Sequence, residues 1–77
     1  MKIRISFSKL LKLGGYENNS LIEVPDECTV GALLEYLGVP RIRRRSLLVY
    51  INDEPTWNST IIKENDSVGI FTIIGGG

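Results

Sequence analysis

The residues with the clearest chemical potential stand at the end of the sequence, where Gly75, Gly76 and Gly77 follow the apolar pair Ile73-Ile74. A C-terminal carboxylate is ionised at neutral pH, because its reference pKa is about 3.3–3.7. Such a carboxylate can attack the α-phosphate of ATP to give an acyl-adenylate, which a sulfur nucleophile can then open. Glycine has no Cβ, so three glycines can thread a narrow site on another protein and reach about 10 Å from the domain.

A frayed chain end is the alternative interpretation of the same glycines, since termini are often disordered. Their position directly after a strand pattern favours a tail with a function. We therefore expect a folded domain over residues 1–74 and a flexible glycine tail over residues 75–77. Ordering a flexible tail costs entropy, so the folded body should supply most of the docking energy.

Composition narrows the function classes. The chain has 77 residues, 43% of them hydrophobic and 23% charged, which predicts one small soluble domain. Nine basic residues balance nine acidic ones, so no general attraction to nucleic acid or to a membrane is expected. No signal peptide or membrane-spanning run is evident, and we expect a cytoplasmic protein.

The inventory of catalytic side chains is short. The sequence has no histidine and one cysteine, Cys28. The usual neutral-pH general base is therefore missing, and neither an internal disulfide nor a cysteine-built metal cluster can form. These absences predict a chain that is not itself an enzyme and that binds no metal or other cofactor. A carrier that only offers its carboxylate needs no acid or base of its own.

The secondary structure needed to position the tail follows from periodicity and turn residues. Alternation predicts a first strand, and an apolar face at helical spacing after Thr29 predicts one helix that ends at Gly38. Leu10, Leu11 and Leu13 suggest a helical turn that packs on the core. The remaining elements are strands over 20–24, 47–51 and 67–74, turns over 52–55 and 64–66, and a short strand or single turn within 57–62.

One amphipathic helix must cover one face of a mixed sheet, because it has nothing else to pack against. Thr29 is the expected N-cap of this helix. The first and last strands are the most regular, so they should lie side by side at the centre. The predicted fold class is therefore α+β, a β-grasp (ubiquitin-like) arrangement in which a mixed sheet of four to five strands packs on one main helix. The helix residues expected to face the sheet are Val30, Leu33, Leu34 and Leu37.

The opposite face of the sheet offers a candidate partner-binding surface. If Val49 and Val68 point inward, alternate side chains on the same strands point outward. The outward set would form an exposed apolar patch beside the tail, and such a patch usually marks a binding site. The alternative is a register shifted by one, which would place these residues in the core. The proposed patch consists of Leu48, Tyr50, Phe71 and Ile73.

Three other features have structural and functional interpretations. Cys28 is expected to pack on Leu33 as a hydrophobic staple, with a redox role as the alternative. Trp57 is expected to pack in the core or at its rim. A basic run within residues 41–45 is expected to be a solvated loop, and its alternatives are a nucleic-acid patch or a contact with an acidic groove on an activating enzyme. The run consists of Arg41, Arg43, Arg44 and Arg45.

Four stretches of the chain resemble the MoaD/ThiS family of ubiquitin-like sulfur carriers. The stretch 29–37 (TVGALLEYL) resembles the family's helix, and 49–52 (VYIN) resembles its third strand and turn. The stretch 64–68 (ENDSV) is similar to its acidic turn, although Asn65 stands where Gly is usual. Residues 74–77 (IGGG) resemble its terminus. The likeness covers nearly the whole chain.

This resemblance implies a chemical role and partners. Gly77 would be adenylated by an activating enzyme of the ubiquitin-activating type that uses ATP and magnesium, and then converted to a thiocarboxylate. Gly75 and Gly76 would form the threading tail. The sulfur acceptor would be thiazole synthase, in thiamine biosynthesis, or the large subunit of molybdopterin synthase. No nucleic acid or membrane partner is implied.

The subfamily and two other function classes stay open at this point. The long first connection resembles the molybdopterin-type carrier, whereas the triple glycine and the absence of a Pro-Pro pair before it resemble the thiamine type. A ubiquitin-like modifier that is conjugated to lysines through Gly77 would share the fold, the tail and the adenylate. A plain interaction module with an idle tail is the third class.

Overall fold

A five-stranded mixed sheet forms the body of the protein in the computed structural model, which describes residues 1–8, 11, 13 and 15–73. The strand order is β2-β1-β5-β3-β4. The central strands β1 and β5 are parallel, and the other three pairings are antiparallel. The bounds are β1 Lys2–Phe7, β2 Ser20–Glu23, α1 Val30–Tyr36, α2 Arg41–Arg44, β3 Leu47–Ile51, β4 Glu54–Pro55 and β5 Ser67–Thr72.

The prediction that the first and last strands pair at the centre is confirmed. Ile5 of β1 lies opposite Val68 of β5, and both side chains are fully buried. Alternate residues of these strands fill the space under α1, as their period of two requires. The sheet, the single main helix and this strand order make the fold a ubiquitin-like β-grasp, as predicted.

Both ends of α1 are fixed by their own sequence. Thr29 Oγ1 accepts from the backbone N–H of Ala32 at 3.1 Å, so the predicted N-cap is confirmed. At the other end Gly38 has φ +82°, a left-handed conformation that glycine adopts without strain. The N–H of Gly38 donates to Glu35 and that of Val39 donates to Leu34, which is a Schellman motif.

The core lies between α1 and the sheet. The four helix residues predicted to face the sheet are all buried, and they pack with Ile3, Ile5, Val68 and Ile70. Leu11 and Leu13 from the first connection are buried in the same cluster, whereas Leu10 lies outside the described residues. No helix of the described residues is long and apolar enough to cross a lipid bilayer.

Several predicted boundaries need correction. The turn after β3 contains only Asn52 and Asp53, both at positive φ, and Glu54–Pro55 pair with β3 as the edge strand. Within 57–62 the predicted alternative of a single turn is confirmed, because residues 57–60 form a turn, and Ile61 makes a single bridge to Thr29. Strands β2 and β5 end earlier than predicted, at Glu23 and Thr72. A two-residue edge strand leaves too little alternation for a sequence pattern to show.

Two further expectations were wrong. The basic run is not a loop, since Arg41–Arg44 form the short helix α2 with Pro40 at its N-cap. Four residues are too few to show helical periodicity. Trp57 is neither core nor rim, because 81% of its surface is exposed. It begins a turn in which its N–H donates to Thr60 Oγ1 and its carbonyl accepts from the Thr60 N–H.

Candidate docking face and tail exit

The outer face of the sheet carries an exposed apolar patch on the neighbouring strands β3 and β5. Leu48 of β3 lies directly opposite Phe71 of β5, and Tyr50 lies opposite Gly69. The exposed fractions are 46% for Leu48 and 41% for Phe71. The structure therefore has the register in which these side chains point away from α1. We call Leu48, Tyr50, Phe71 and Ile73 the outer patch.

Aromatic contacts fix the shape of this patch. The rings of Tyr50 and Phe71 meet edge to face, with their centroids 6.0 Å apart and their planes at 68°. Tyr50 is half-buried by this packing. Edge-to-face pairs contribute about 0.5–1.5 kcal/mol beyond the burial of their area. The patch therefore presents a shaped surface rather than two independent side chains.

Gly69 is a member of the site that the sequence analysis missed. A Cβ at this position would lie 2.9 Å from Phe71 Cε2, closer than Cβ atoms normally approach other atoms in proteins, and 3.2 Å from Cζ. The ring of Phe71 therefore lies over the backbone of β5 at the place where a side chain is absent. A glycine inside a strand is the available signal, because it often marks such a close approach.

Polar residues border the outer patch at one end. Ser6, Asn52, Asp53 and Ser67 line a shallow concavity together with Tyr50, Gly69 and Phe71. The side chain of Asn52 is held on both sides, since its Nδ2 donates to Asp66 Oδ1 and its Oδ1 accepts from the Ser67 N–H, each at 3.0 Å. An apolar centre with a fixed polar border has the composition of a protein-binding surface.

The end of β5 is held firmly where the patch ends. The N–H of Ile73 donates to the carbonyl of Ser46 at 2.7 Å, and Ser8 Oγ lies 3.3 Å from Thr72 Oγ1. Ile73 itself is 49% exposed. The chain therefore leaves the sheet at a defined point beside the outer patch. Gly75, Gly76 and Gly77 lie outside the described residues, so their predicted roles remain predictions.

Among the residues that the structure describes, the remaining chemical candidates form no second site. Cys28 is buried and its Sγ donates to the carbonyl of Thr29. Burial raises the pKa of this thiol, which opposes formation of a thiolate nucleophile. Within the described ranges, no group of three or more acidic or cysteine side chains could hold a metal ion.

Sequence comparison relates most of the chain to one family. Residues 7–77 match the ThiS family. A search of curated protein sequences finds no significant match.

Comparison with solved structures extends this likeness to the fold. SAMP1 from Haloferax volcanii has a TM-score of 0.71 at 19% identity, with 100% of each chain covered. A putative molybdopterin converting factor, subunit 1, from Pyrococcus furiosus has a TM-score of 0.71 at 17% identity, with 95% of this chain and 98% of that chain covered. A second structure from H. volcanii, of small archaeal modifier protein 1, has a TM-score of 0.70 at 19% identity over 95% of this chain and 98% of that one.

Proposed function

Because the chain belongs to the ThiS family, we propose that it is a sulfur carrier whose Gly77 carboxylate is activated with ATP. A carboxylate oxygen attacks the α-phosphorus of ATP on the activating enzyme. The bond between this phosphorus and the oxygen that bridges to the β-phosphate breaks, and pyrophosphate leaves. Hydrosulfide, or a donor at the same oxidation level, then attacks the acyl carbon and AMP leaves. The product is a thiocarboxylate that can pass its sulfur to an acceptor.

The observation that carries this proposal is the outer patch beside the end of β5. A carrier must dock a folded surface on its activating enzyme so that the tail enters the active site. The patch is exposed, and the Tyr50–Phe71 contact gives it a defined shape. Its residues are apolar, although they do not contribute to the core under α1. Exposed apolar clusters of this kind mark partner surfaces.

The residues of the body position the tail rather than perform chemistry. The hydrogen bond from Ile73 to Ser46 fixes the backbone at Ile73 beside the patch. Docking of the patch therefore sets the point on the partner at which the tail begins. Gly75 and Gly76 follow, and because they have no Cβ they can pass through a narrow site. The activating enzyme supplies ATP, magnesium and the catalytic groups. The reaction consumes ATP, so the proposed compartment is the cytoplasm.

The sulfur acceptor is proposed as one of two enzymes. The family match supports thiazole synthase, and the fold shared with the P. furiosus molybdopterin converting factor subunit supports the large subunit of molybdopterin synthase. Incubating the thiocarboxylate form with each enzyme separates the two. The true acceptor consumes the thiocarboxylate and the other leaves it intact.

Protein modification is the second candidate function. The likeness to the H. volcanii modifier supports it, because that protein has the same fold over the full length of this chain. Both functions begin with the same acyl-adenylate and differ in the nucleophile that attacks its acyl carbon. In a modifier the ε-amino group of a lysine attacks the acyl carbon and forms an isopeptide bond.

Mass spectrometry of the protein from its native cells tests the two functions together. A sulfur carrier shows the mass gain of one sulfur in place of one oxygen at Gly77. A modifier shows Gly77 joined to lysines of other proteins. Deleting Gly76 and Gly77 abolishes either activity, whereas a binding module with an idle tail keeps its function without them.

A further inference from the structure

The short helix α2 and Arg45 directly after it place several arginines around one exposed isoleucine. We call residues 41–45 the basic knob. Ile42 is 82% exposed at its centre, the most exposed of the large apolar side chains in the described part of the chain. Arg41, Arg43 and Arg45 around it are also exposed. An isoleucine between arginines on a solvent-facing helix contributes nothing to the core. The Ile42 side chain is therefore available for contact with another molecule.

The knob stands at the tail exit. Arg45 is followed directly by Ser46, whose carbonyl accepts the 2.7 Å hydrogen bond from Ile73. The next residue, Leu47, pairs with Thr72 at the end of β5. A protein that receives the tail must therefore approach α2 as well as the outer patch.

Local hydrogen bonds hold the knob in shape. The N–H of Arg43 donates to the carbonyl of Pro40, and the N–H of Ser46 donates to that of Arg43, each at 3.0 Å. The guanidinium of Arg44 donates to the carbonyl of Val39 through Nε at 3.3 Å and Nη2 at 3.2 Å. Arg44 is thus used within the fold, and the other three arginines remain for a partner.

The charge of the knob contrasts with that of the whole chain. Four of the nine basic residues stand within residues 41–45, while the complete chain is neutral. Among the described residues the ion pair found is that of Met1 with Asp26, far along the chain from α2. The arginines therefore offer their charge outward. A neutral chain whose basic run lacks interleaved aromatic residues does not fit nucleic-acid binding, and an acidic protein surface is the complementary partner.

We propose that α2 is a second docking element, which seats Ile42 in an apolar hollow rimmed by carboxylates on the activating enzyme that receives the C-terminal tail. This inference rests on the proposed function and names a part of the partner surface. The arginines steer association and Ile42 slows dissociation, as charged rims and buried apolar anchors do at interfaces.

The test uses the full chain and the purified activating enzyme of the same organism. Binding is followed by surface-immobilised kinetics, and adenylation by exchange of labelled pyrophosphate into ATP. Arg41→Ala/Arg45→Ala is compared with Lys2→Ala/Lys63→Ala, which removes the same charge from residues outside α2. Ile42→Ala is compared with Trp57→Ala, because Trp57 is equally exposed and stands beyond β4. A 20-nucleotide single-stranded DNA serves as the nucleic-acid probe.

We expect the double arginine variant to associate about tenfold more slowly at low salt, and Ile42→Ala to dissociate about tenfold faster. The arginine effect should vanish near 1 M salt, where the Debye length is about 3 Å. Both variants should raise the KM for the carrier with kcat unchanged. The two control variants should behave as the wild-type chain does.

The outcomes separate this inference from the proposed function. If the enzyme adenylates all variants with equal kcat/KM, the inference is wrong and the carrier function stands. If the wild-type chain binds through α2 but is not adenylated, the inference stands and the carrier function fails. If there is neither binding nor adenylation, both are wrong. Salt-dependent binding of the DNA probe that the double arginine variant loses would also overturn the inference.

Discussion

The two faces of the sheet both carry large apolar residues, but these residues are buried on one face and exposed on the other. On the inner face, Val68 and Ile70 of β5 are fully buried under α1. One residue further along the same strand, Phe71 stands on the outer face with 41% of its surface exposed. The difference comes from the fold, because the single main helix covers only one side of the sheet. The outer patch stays partly exposed, and the proposed function uses it as the surface that contacts a partner.

The largest expected effect is on the inner face. Ile70→Ala should lower the free energy of unfolding by about 2–5 kcal/mol, because it leaves a cavity in the centre of the core. Native domains are stable by only about 5–15 kcal/mol, so the variant should lose a large fraction of its stability. Urea titration followed by circular dichroism measures this. A loss below about 1 kcal/mol would show that the inner face is not the core that the structure describes.

The outer face should respond in the opposite way. Tyr50→Glu places a charge within the outer patch, and we expect kcat/KM for adenylation to fall about 100-fold through weaker docking. The free energy of unfolding should change by about 1 kcal/mol or less, since Tyr50 is only half-buried. Pyrophosphate exchange and urea titration on the same preparation measure both quantities. A variant that unfolds instead would assign Tyr50 to the core.

Gly69 allows a subtler change to the same face. Gly69→Ala should displace the ring of Phe71 and lower kcat/KM several-fold, although every exposed side chain is kept. The matched control is Phe71→Ala with and without Gly69→Ala. If Gly69 acts through the ring, the alanine at 69 should have almost no further effect once Phe71 is removed, because coupled residues are not additive. Two additive effects would show that Gly69 contributes independently.

The smallest effect concerns the edge of the sheet, away from both faces. The amino group of Met1 donates to the Val24 carbonyl at 2.8 Å and to Asp26 Oδ1 at 3.0 Å. The hydrogen bond to Asp26 raises the pKa of the Met1 amino group above its ordinary value of 8.0. A raised pKa stabilises the fold fully below pH 8 and loses that contribution as pH rises through the folded-state value. Melting curves of the wild-type chain and Asp26→Asn should therefore differ slightly at pH 7 and converge at high pH. A constant difference would exclude this ion pair as the cause.

Long patterns made the fold predictable, and short ones did not. Lys2–Phe7 alternates over a whole strand, and Thr29 to Gly38 contains a cap, an apolar face and a terminating glycine. These features are local, so sequence alone suffices. The edge strand Glu54–Pro55 and the helix Arg41–Arg44 are held by contacts with distant residues or by one or two turns of hydrogen bonds. No period can show itself over two or four residues.

The candidate site was predictable to the same extent. Strand alternation was enough to group Leu48, Tyr50 and Phe71 on one face, because side chains in a strand point to alternate sides. The closeness of Phe71 to Gly69 depends on a ring orientation that no sequence pattern specifies. The sequence also did not predict the exposure of Ile42 and Trp57, since large apolar residues are expected to be buried.

The central claim concerns one functional group, the carboxylate of Gly77. A semisynthetic chain that ends in a Gly77 carboxamide keeps the full length, both faces of the sheet and α2, and removes only the attacking oxygen. We predict that it binds the activating enzyme about as tightly as the wild-type chain and supports no pyrophosphate exchange above background. Exchange at the wild-type rate with the carboxamide would contradict the account.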